Sequence, residues 1–329
     1  MAISIGNLMD SIVKRALALS IALCAASNAQ AGSLLQIPNG EDVTPADVGF
    51  LVPAHLGATQ GSPTDDAPIQ NFFDRWAEIA REAKASQPNW MTPIATVTPR
   101  LEQEFRSDQF FEHQGNGADL DVYDGGKGLE FIPTTTNEVL INLPSYNQRS
   151  GVNPARGWGD WPTVTIKQRL LSANKDNGDY IVTAFFGVQA PTGEVPFTND
   201  AWVVTPTLAA GKGWGDFDIQ AAVGVPIPLD HENTIGTSIV SNVVFQYHIA
   251  KYFWPEFEVN YTHWADGERA GKDQVFLMPG LILGRFKVAD DMNLIVGAGY
   301  QFAVTPITTK PVLTPAYDNS WILTTRLSF

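Results

Sequence analysis

Ionised side chains recur at every second position in several short stretches of this sequence. Arg100, Glu102, Glu104 and Arg106 form one set, Lys167 and Arg169 a second, Glu256 and Glu258 a third; Glu130, Asp218 and Arg326 stand singly. Apolar residues interleave with them: Val97, Leu101 and Phe105 in the first stretch, Val164, Ile166 and Leu170 in the second, Phe257, Val259 and Tyr261 in the third. A spacing of two places the charges on one face of a strand and the apolar residues on the other. An Arg or Lys facing hydrocarbon at a bilayer midplane costs about 2–4 kcal/mol, so the charges are expected to face a wet or mutually paired interior. Two roles stay open for them. They line a pore and set its selectivity, or they form ion pairs across the interior that solvate and stiffen it. Mixed signs favour small neutral or amphipathic solutes over strongly ion-selective passage.

Other constellations carry less. Gly211-Lys212-Gly213-Trp214-Gly215-Asp216 is glycine-rich but lacks the phosphate-loop spacing and opens a strand, so it reads as a tight turn. Gly157-Trp158-Gly159-Asp160 repeats that pattern before another strand. The histidines, His55, His113, His231, His248 and His263, form no compact metal spacing, and no cofactor is expected. Tyr261-Thr262-His263-Trp264-Ala265-Asp266-Gly267 resembles the H-x-S-N motif of outer-membrane lipid hydrolases, but Ala265 stands where the nucleophile belongs. Without a hydroxyl there is no acyl-enzyme route, so no enzymatic activity is expected.

The elements that position these residues read most clearly near the C-terminus. Trp321, Leu323, Thr325, Leu327 and Phe329 share one face; Ile322, Thr324, Arg326 and Ser328 share the other. Ending on Phe329 resembles the C-terminal signature of outer-membrane barrels that assembly machinery reads. Working back gives candidate strands at 319–329, 292–304, 274–286, 255–264, 238–249, 217–227, 201–211, 179–190, 162–171, 138–146, 128–133 and 95–108. That is twelve, with ten and fourteen left open because 128–133 is too short to span a bilayer at about 9–11 residues. If Phe329 lies in the periplasm, the inner connections are all short. The outer ones, 109–127, 147–161, 191–200, 228–237, 265–273 and 305–318, are all longer, as barrels require. The strand 274–286 is apolar on both faces, which leaves its orientation undecided. Trp158, Trp161, Trp202, Trp214, Tyr252, Phe253, Trp254, Trp264 and Trp321 sit at strand ends, as girdle residues do.

Before the strands the pattern changes. Ile69, Phe72, Phe73, Trp76, Ile79 and Ala80 follow helical spacing after Pro63-Thr64-Asp65-Asp66, which predicts a helix over about 67–86. It would plug the lumen or lie at its periplasmic mouth. Lys14 and Arg15, the apolar run from Ala16 to Ala26 and Ala29-Gln30-Ala31 read as a secretory signal cut after Ala31. The expected organisation is a signal peptide (1–31), an N-terminal extension carrying the helix (32–94) and an outer-membrane barrel (95–329). Across the 329 residues, Lys plus Arg number 21 against 35 Asp plus Glu, a net charge of −14 that argues against nucleic acid as partner. Charged residues are 17%, low against the usual ~25% of a soluble domain. Mean hydropathy of −0.07 excludes a bundle of membrane helices. The only cysteine, Cys24, falls within the expected signal, so no disulfide framework is expected.

Thr98 to Phe105, Trp161 to Leu171, Pro191-Thr192-Gly193, Thr205-Pro206-Thr207, Gly211 to Gln220 and Pro279-Gly280 together resemble a bacterial family of outer-membrane channels named for the meta-pathway of phenol degradation. The resemblance covers most of 95–329, and its motifs are turns and strand ends. It implies a closed, all-β, antiparallel up-and-down transmembrane barrel in the outer membrane, surrounded by outer-membrane lipid and lipopolysaccharide. It also implies association with aromatic or other hydrophobic compounds. The function expected is a channel for passive passage of small molecules, aromatic or hydrophobic ones among them. The alternatives are a non-conducting structural or interaction barrel and, behind it, a lipid hydrolase.

Overall fold

The computed structural model describes residues 67–329 apart from 115, 125–126 and 306–316. The expected signal, and the extension up to residue 66, lie outside the described residues. A helix α1 (Ala67–Ala85) comes first. The strands follow in order: β1 (Glu104–His113), β2 (Asp119–Tyr123), β3 (Gly128–Thr134), β4 (Asn137–Asn142), β5 (Tyr146–Ser150), β6 (Ala155–Trp158), β7 (Trp161–Ala173) and β8 (Tyr180–Ala190). Next are β9 (Val203–Trp214), β10 (Phe217–Gly224), β11 (Ile227–Pro228), the short helix α2 (Glu232–Ile235), β12 (Ser238–Tyr247) and β13 (Phe253–Trp264). The chain ends with β14 (Asp273–Ala289), β15 (Met292–Ala303) and β16 (Asn319–Ser328).

Every pairing is antiparallel, and β16 returns to β1 from Glu104↔Ser328 to His113↔Asn319. The sheet is therefore closed. Three staves of the wall are each built from two strands. β1 pairs with β2 toward one end and with β3 toward the other. β4 pairs with β3 and β5 with β2, while β6 pairs with β5 and β7 with β4. Counting β2/β3, β4/β5 and β6/β7 once each, and leaving aside β11, the wall has twelve staves. The breaks have local causes. Asp124 takes a left-handed backbone (φ 57), and Pro144 has no N–H to give a ladder. These breaks explain the short candidate at 128–133: its stave continues as β2. They also correct two loop lengths, because the expected outer loops 109–127 and 147–161 shrink to 114–118 and 151–154.

The connections at 135–136, 174–179, 215–216, 248–252 and 290–291 define a turn end, which also holds Phe329 and α1. The opposite, loop end carries 191–202, 225–237 and 265–272, together with 304–305 and 317–318. Phe105, Ile141, Ile166, Phe186, Phe257, Leu281 and Leu323 are exposed on the outside, alternating with buried polar residues inside. Trp158, Trp161, Trp202, Trp214, Phe253 and Trp321 are exposed at strand ends, but Trp254 and Trp264 are buried and point inward. Their parity already required this, since both are even-numbered, like Glu256 and Glu258 on the same strand.

The largest correction concerns the first candidate strand. The wall begins at Glu104, not Ala95. Residues 95–103 lie inside the barrel, and Leu101, expected to face outward, is fully buried.

Candidate functional site in the barrel lumen

Between α1 and β1 the chain enters the lumen and returns. Pro88, Pro93 and Pro99 each lack an N–H, no strand pairing includes this stretch, and its backbone groups find side-chain partners instead. It is closed at its base by Gln87: Nε2 donates to the Leu101 carbonyl (2.8 Å) and Oε1 accepts the Leu101 N–H (2.9 Å). Arg100 braces it from within, donating through Nε to the Pro88 carbonyl (2.7 Å) and through a terminal nitrogen to the Trp90 carbonyl. Arg100 also pairs with Glu102 at 2.9 Å, and Glu102 accepts the Thr92 hydroxyl at 3.0 Å.

The wall supplies the remaining partners from all sides. Arg326 on β16 donates to the carbonyls of Thr92 and Pro93, the latter at 2.8 Å, and Arg106 on β1 to that of Ile94. On β13, Glu256 accepts the Ile94 N–H (3.0 Å), and Glu258 accepts those of Ala95 (2.8 Å) and Thr96 (2.6 Å). Gln220 on β10 bonds the Thr98 hydroxyl and the Met91 carbonyl. Thr183 on β8 donates to the Pro99 carbonyl, Lys167 on β7 to that of Arg100 (3.2 Å), and Glu138 on β4 accepts the Glu102 N–H (2.6 Å). Lys167 is itself held by Glu138 at 2.8 Å, and Arg106 by Asp108 at 2.8 Å.

Of the residues expected to line the interior, Glu104, Arg106, Glu130, Lys167, Arg169, Asp218, Glu256, Glu258 and Arg326 point inward from the wall and are buried. Arg100 and Glu102 are buried as well, but they belong to the inserted segment, which corrects their expected place on a strand. Asp108 and Glu138 escaped the sequence reading. Asp108 shares the parity of Glu104 and Arg106, while Glu138 is a lone charge in its stretch. Arg285 could not have been read: a bulge between Gly284 and Phe286 turns it inward against its parity. There it donates to Asn89 Oδ1 (2.7 Å) and the Trp90 carbonyl (2.8 Å).

One sector of the lumen is dry. Met91 and Ile94 of the segment pack with Trp254, Met278, Ile282, Ile295 and Ile322. This settles the strand that was apolar on both faces: Met278 and Ile282 face the segment, and Leu281 faces out. Glycines make room for the segment. A Cβ at Gly213 would meet Asp179 Oδ2 and lie 2.6 Å from Trp90 Nε1, and one at Gly280 would lie 2.9 Å from Ile94. Trp90 Nε1 donates to Asp179 at 3.2 Å. The expected tight turn is present at 215–216, and the glycines before it serve as a socket for Trp90.

At the turn end α1 covers part of the mouth. Arg169 donates to the Ala83 carbonyl (2.9 Å), and Lys84 donates to the main-chain oxygen of Phe329 (2.8 Å). Burial at this rim lowers the Lys84 ammonium below its usual range, against the opposing pull of Glu102 and Glu104. At the same end a cavity of about 370 Å³ is bounded by Trp90, Asp179, Asp218, His248, Trp254 and Arg285. His248 stacks on Trp254 with centroids 4.0 Å apart.

Outside the lumen, His263 meets Asp273 at 2.9 Å, and the Tyr261 hydroxyl donates to the same carboxylate at 2.6 Å. The adjoining Ala265 supplies no nucleophile. Among the described residues no group of three or more His, Cys, Asp or Glu is placed to hold a metal.

No family model and no curated protein matches the chain. Solved structures similar to it include an outer-membrane channel from Pseudomonas putida F1, at 12% identity and a TM-score of 0.46, covering 69% of this chain and 94% of that one. The NanC porin gives 9% identity and a TM-score of 0.44 over 68% of this chain and 98% of the porin. The KdgM porin gives 12% and 0.39 over 68% and 99%.

Proposed function

We propose that the chain is an outer-membrane β-barrel channel for small solutes, with the Gln87–Leu101 segment as an internal constriction. The observation that carries the reading is the sidedness of a closed wall. Apolar residues cover its outside, while charged and amide side chains fill its inside and face a non-covalently held segment. Much of the segment is held by polar side chains that can rebond to water, beside one apolar sector. The turn end faces the periplasm and the loop end the exterior. If the segment shifts, the apolar wall residues Met278, Ile282 and Ile322 beside the charged sector would suit amphipathic solutes, aromatic ones among them. Planar-bilayer recording and liposome swelling test the reading. Discrete conductance, with permeation by small neutral aromatic solutes, supports it. A folded, heat-modifiable barrel that passes no ions and no solutes would instead establish the non-conducting structural barrel.

A further inference from the structure

Helix α1 straddles the rim of the barrel. Near its end, Ala80 and Ala83 face inward and pack with Leu101 and Ile132. Earlier turns pass to the outside: Phe72, Arg75, Trp76 and Ile79 face Leu129, Phe131 and Pro133 of β3 across a groove of about 560 Å³. Those three β3 residues alternate with the buried, inward-pointing Glu130 and Ile132, so the groove opens on the apolar outer face of the wall. Trp76 fixes the helix there. Its Nε1 donates to the Ile132 carbonyl at 2.9 Å, and its ring meets Phe131 edge-on with centroids 6.5 Å apart. Phe72 is 64% exposed and Phe73 50%, in edge-to-face contact with each other.

We propose that this groove binds an acyl chain of a phospholipid of the leaflet at the turn end, with Arg75 taking the phosphate. This rests on the outer-membrane reading of the barrel. Three features converge on that occupant. The groove has no boundary with the outer apolar band, so whatever covers Leu129 also reaches Phe72. Its lining is apolar except for one guanidinium, and a planar guanidinium pairs well with a phosphate. Trp76 and the two Phe rings lie beside the end of a wall stave, where aromatic side chains favour the headgroup zone. The first half of α1 thus lies in the membrane interface and anchors the lumen segment that follows it.

The test uses the full chain in a Cys24→Ser background, folded into vesicles of phosphatidylethanolamine and phosphatidylglycerol. A nitroxide is placed at Phe73→Cys and, separately, at Leu281→Cys on the outer wall. Accessibility to oxygen and to a water-soluble nickel chelate is then measured. The expected result is oxygen-accessible labels at both sites, with position 73 the shallower. A second arm weighs co-purified phospholipid, which should fall several-fold in Arg75→Glu and recover in Arg75→Lys. An oxygen-accessible label at 281 with a chelate-accessible one at 73 overturns the lipid groove and leaves the barrel reading intact. A chelate-accessible label at 281 overturns the barrel reading and this one with it. Position 73 shielded from both reagents assigns the groove to protein instead: dipolar broadening between labels identifies a second copy, and its absence identifies this chain's own residues 1–66. Either result overturns the proposal.

Discussion

Two sectors of the lumen hold one segment by different physics. Toward β1, β4, β7 and β13, Arg106, Glu138, Lys167, Glu256 and Glu258 bond the segment's backbone between Ile94 and Glu102 atom by atom. Toward β14, β15 and β16, Met91 and Ile94 are enclosed by Met278, Ile282, Ile295 and Ile322. The charged sector fixes register, since each carbonyl or N–H has a dedicated partner and a shift of one residue would orphan them all. The dry sector adds burial that tolerates sliding. Arg326 joins the two. Its neighbour Ile322 lies in the dry core, while its guanidinium holds the carbonyls of Thr92 and Pro93.

Substitutions separate these contributions. Arg326→Met should have the largest effect, a loss of about 3–5 kcal/mol in holding the segment, because the carbonyls of Thr92 and Pro93 lose their wall donor and the buried carboxylates nearby lose one of their cations. The expected readout is rapid labelling of a thiol at Thr96→Cys that is protected in the parent. Protection equal to the parent would deny the charged sector its role. Ile282→Ala should cost about 2–4 kcal/mol by opening a cavity, with the same labelling readout and no change in its salt dependence. Salt-sensitive labelling there would mean that the sectors are not separable. Gly213→Ala should cost about 1–3 kcal/mol by crowding Trp90 and Asp179, and should shift the indole emission. Unchanged emission would remove the socket. Leu281→Ala, one residue from Ile282 but facing outward, should leave labelling within about 0.5 kcal/mol of the parent. An effect equal to that of Ile282→Ala would contradict the inside–outside assignment of β14.

The wall was legible because alternation encodes it. In the stretches at 162–171, 217–227 and 255–264, every residue read as inward by its charge is buried in the structure. The inserted segment misled for a physical reason. Arg100 and Glu102 continue the spacing of Glu104 and Arg106 because wall and contents meet the same wet interior and use the same residue types. Pro99 did not mark the difference, since prolines also stand within wall strands, as at Pro206 and Pro279. The helix was readable from its period, but not its position across the rim: Phe72 and Ala80 belong to one stripe in sequence yet serve opposite sides of the wall. Nothing local announced the bulge that turns Arg285 inward.

If the proposed constriction is right, residues 88–100 govern passage through a barrel that is complete without them. Gln87 and Leu101 already meet through two hydrogen bonds, so excising 88–100 brings together ends that are adjacent in space. Single-channel conductance of that variant, once heat-modifiable mobility shows that it folds, should exceed that of the parent several-fold under identical salt and voltage. Equal conductance from the two folded proteins would contradict the account.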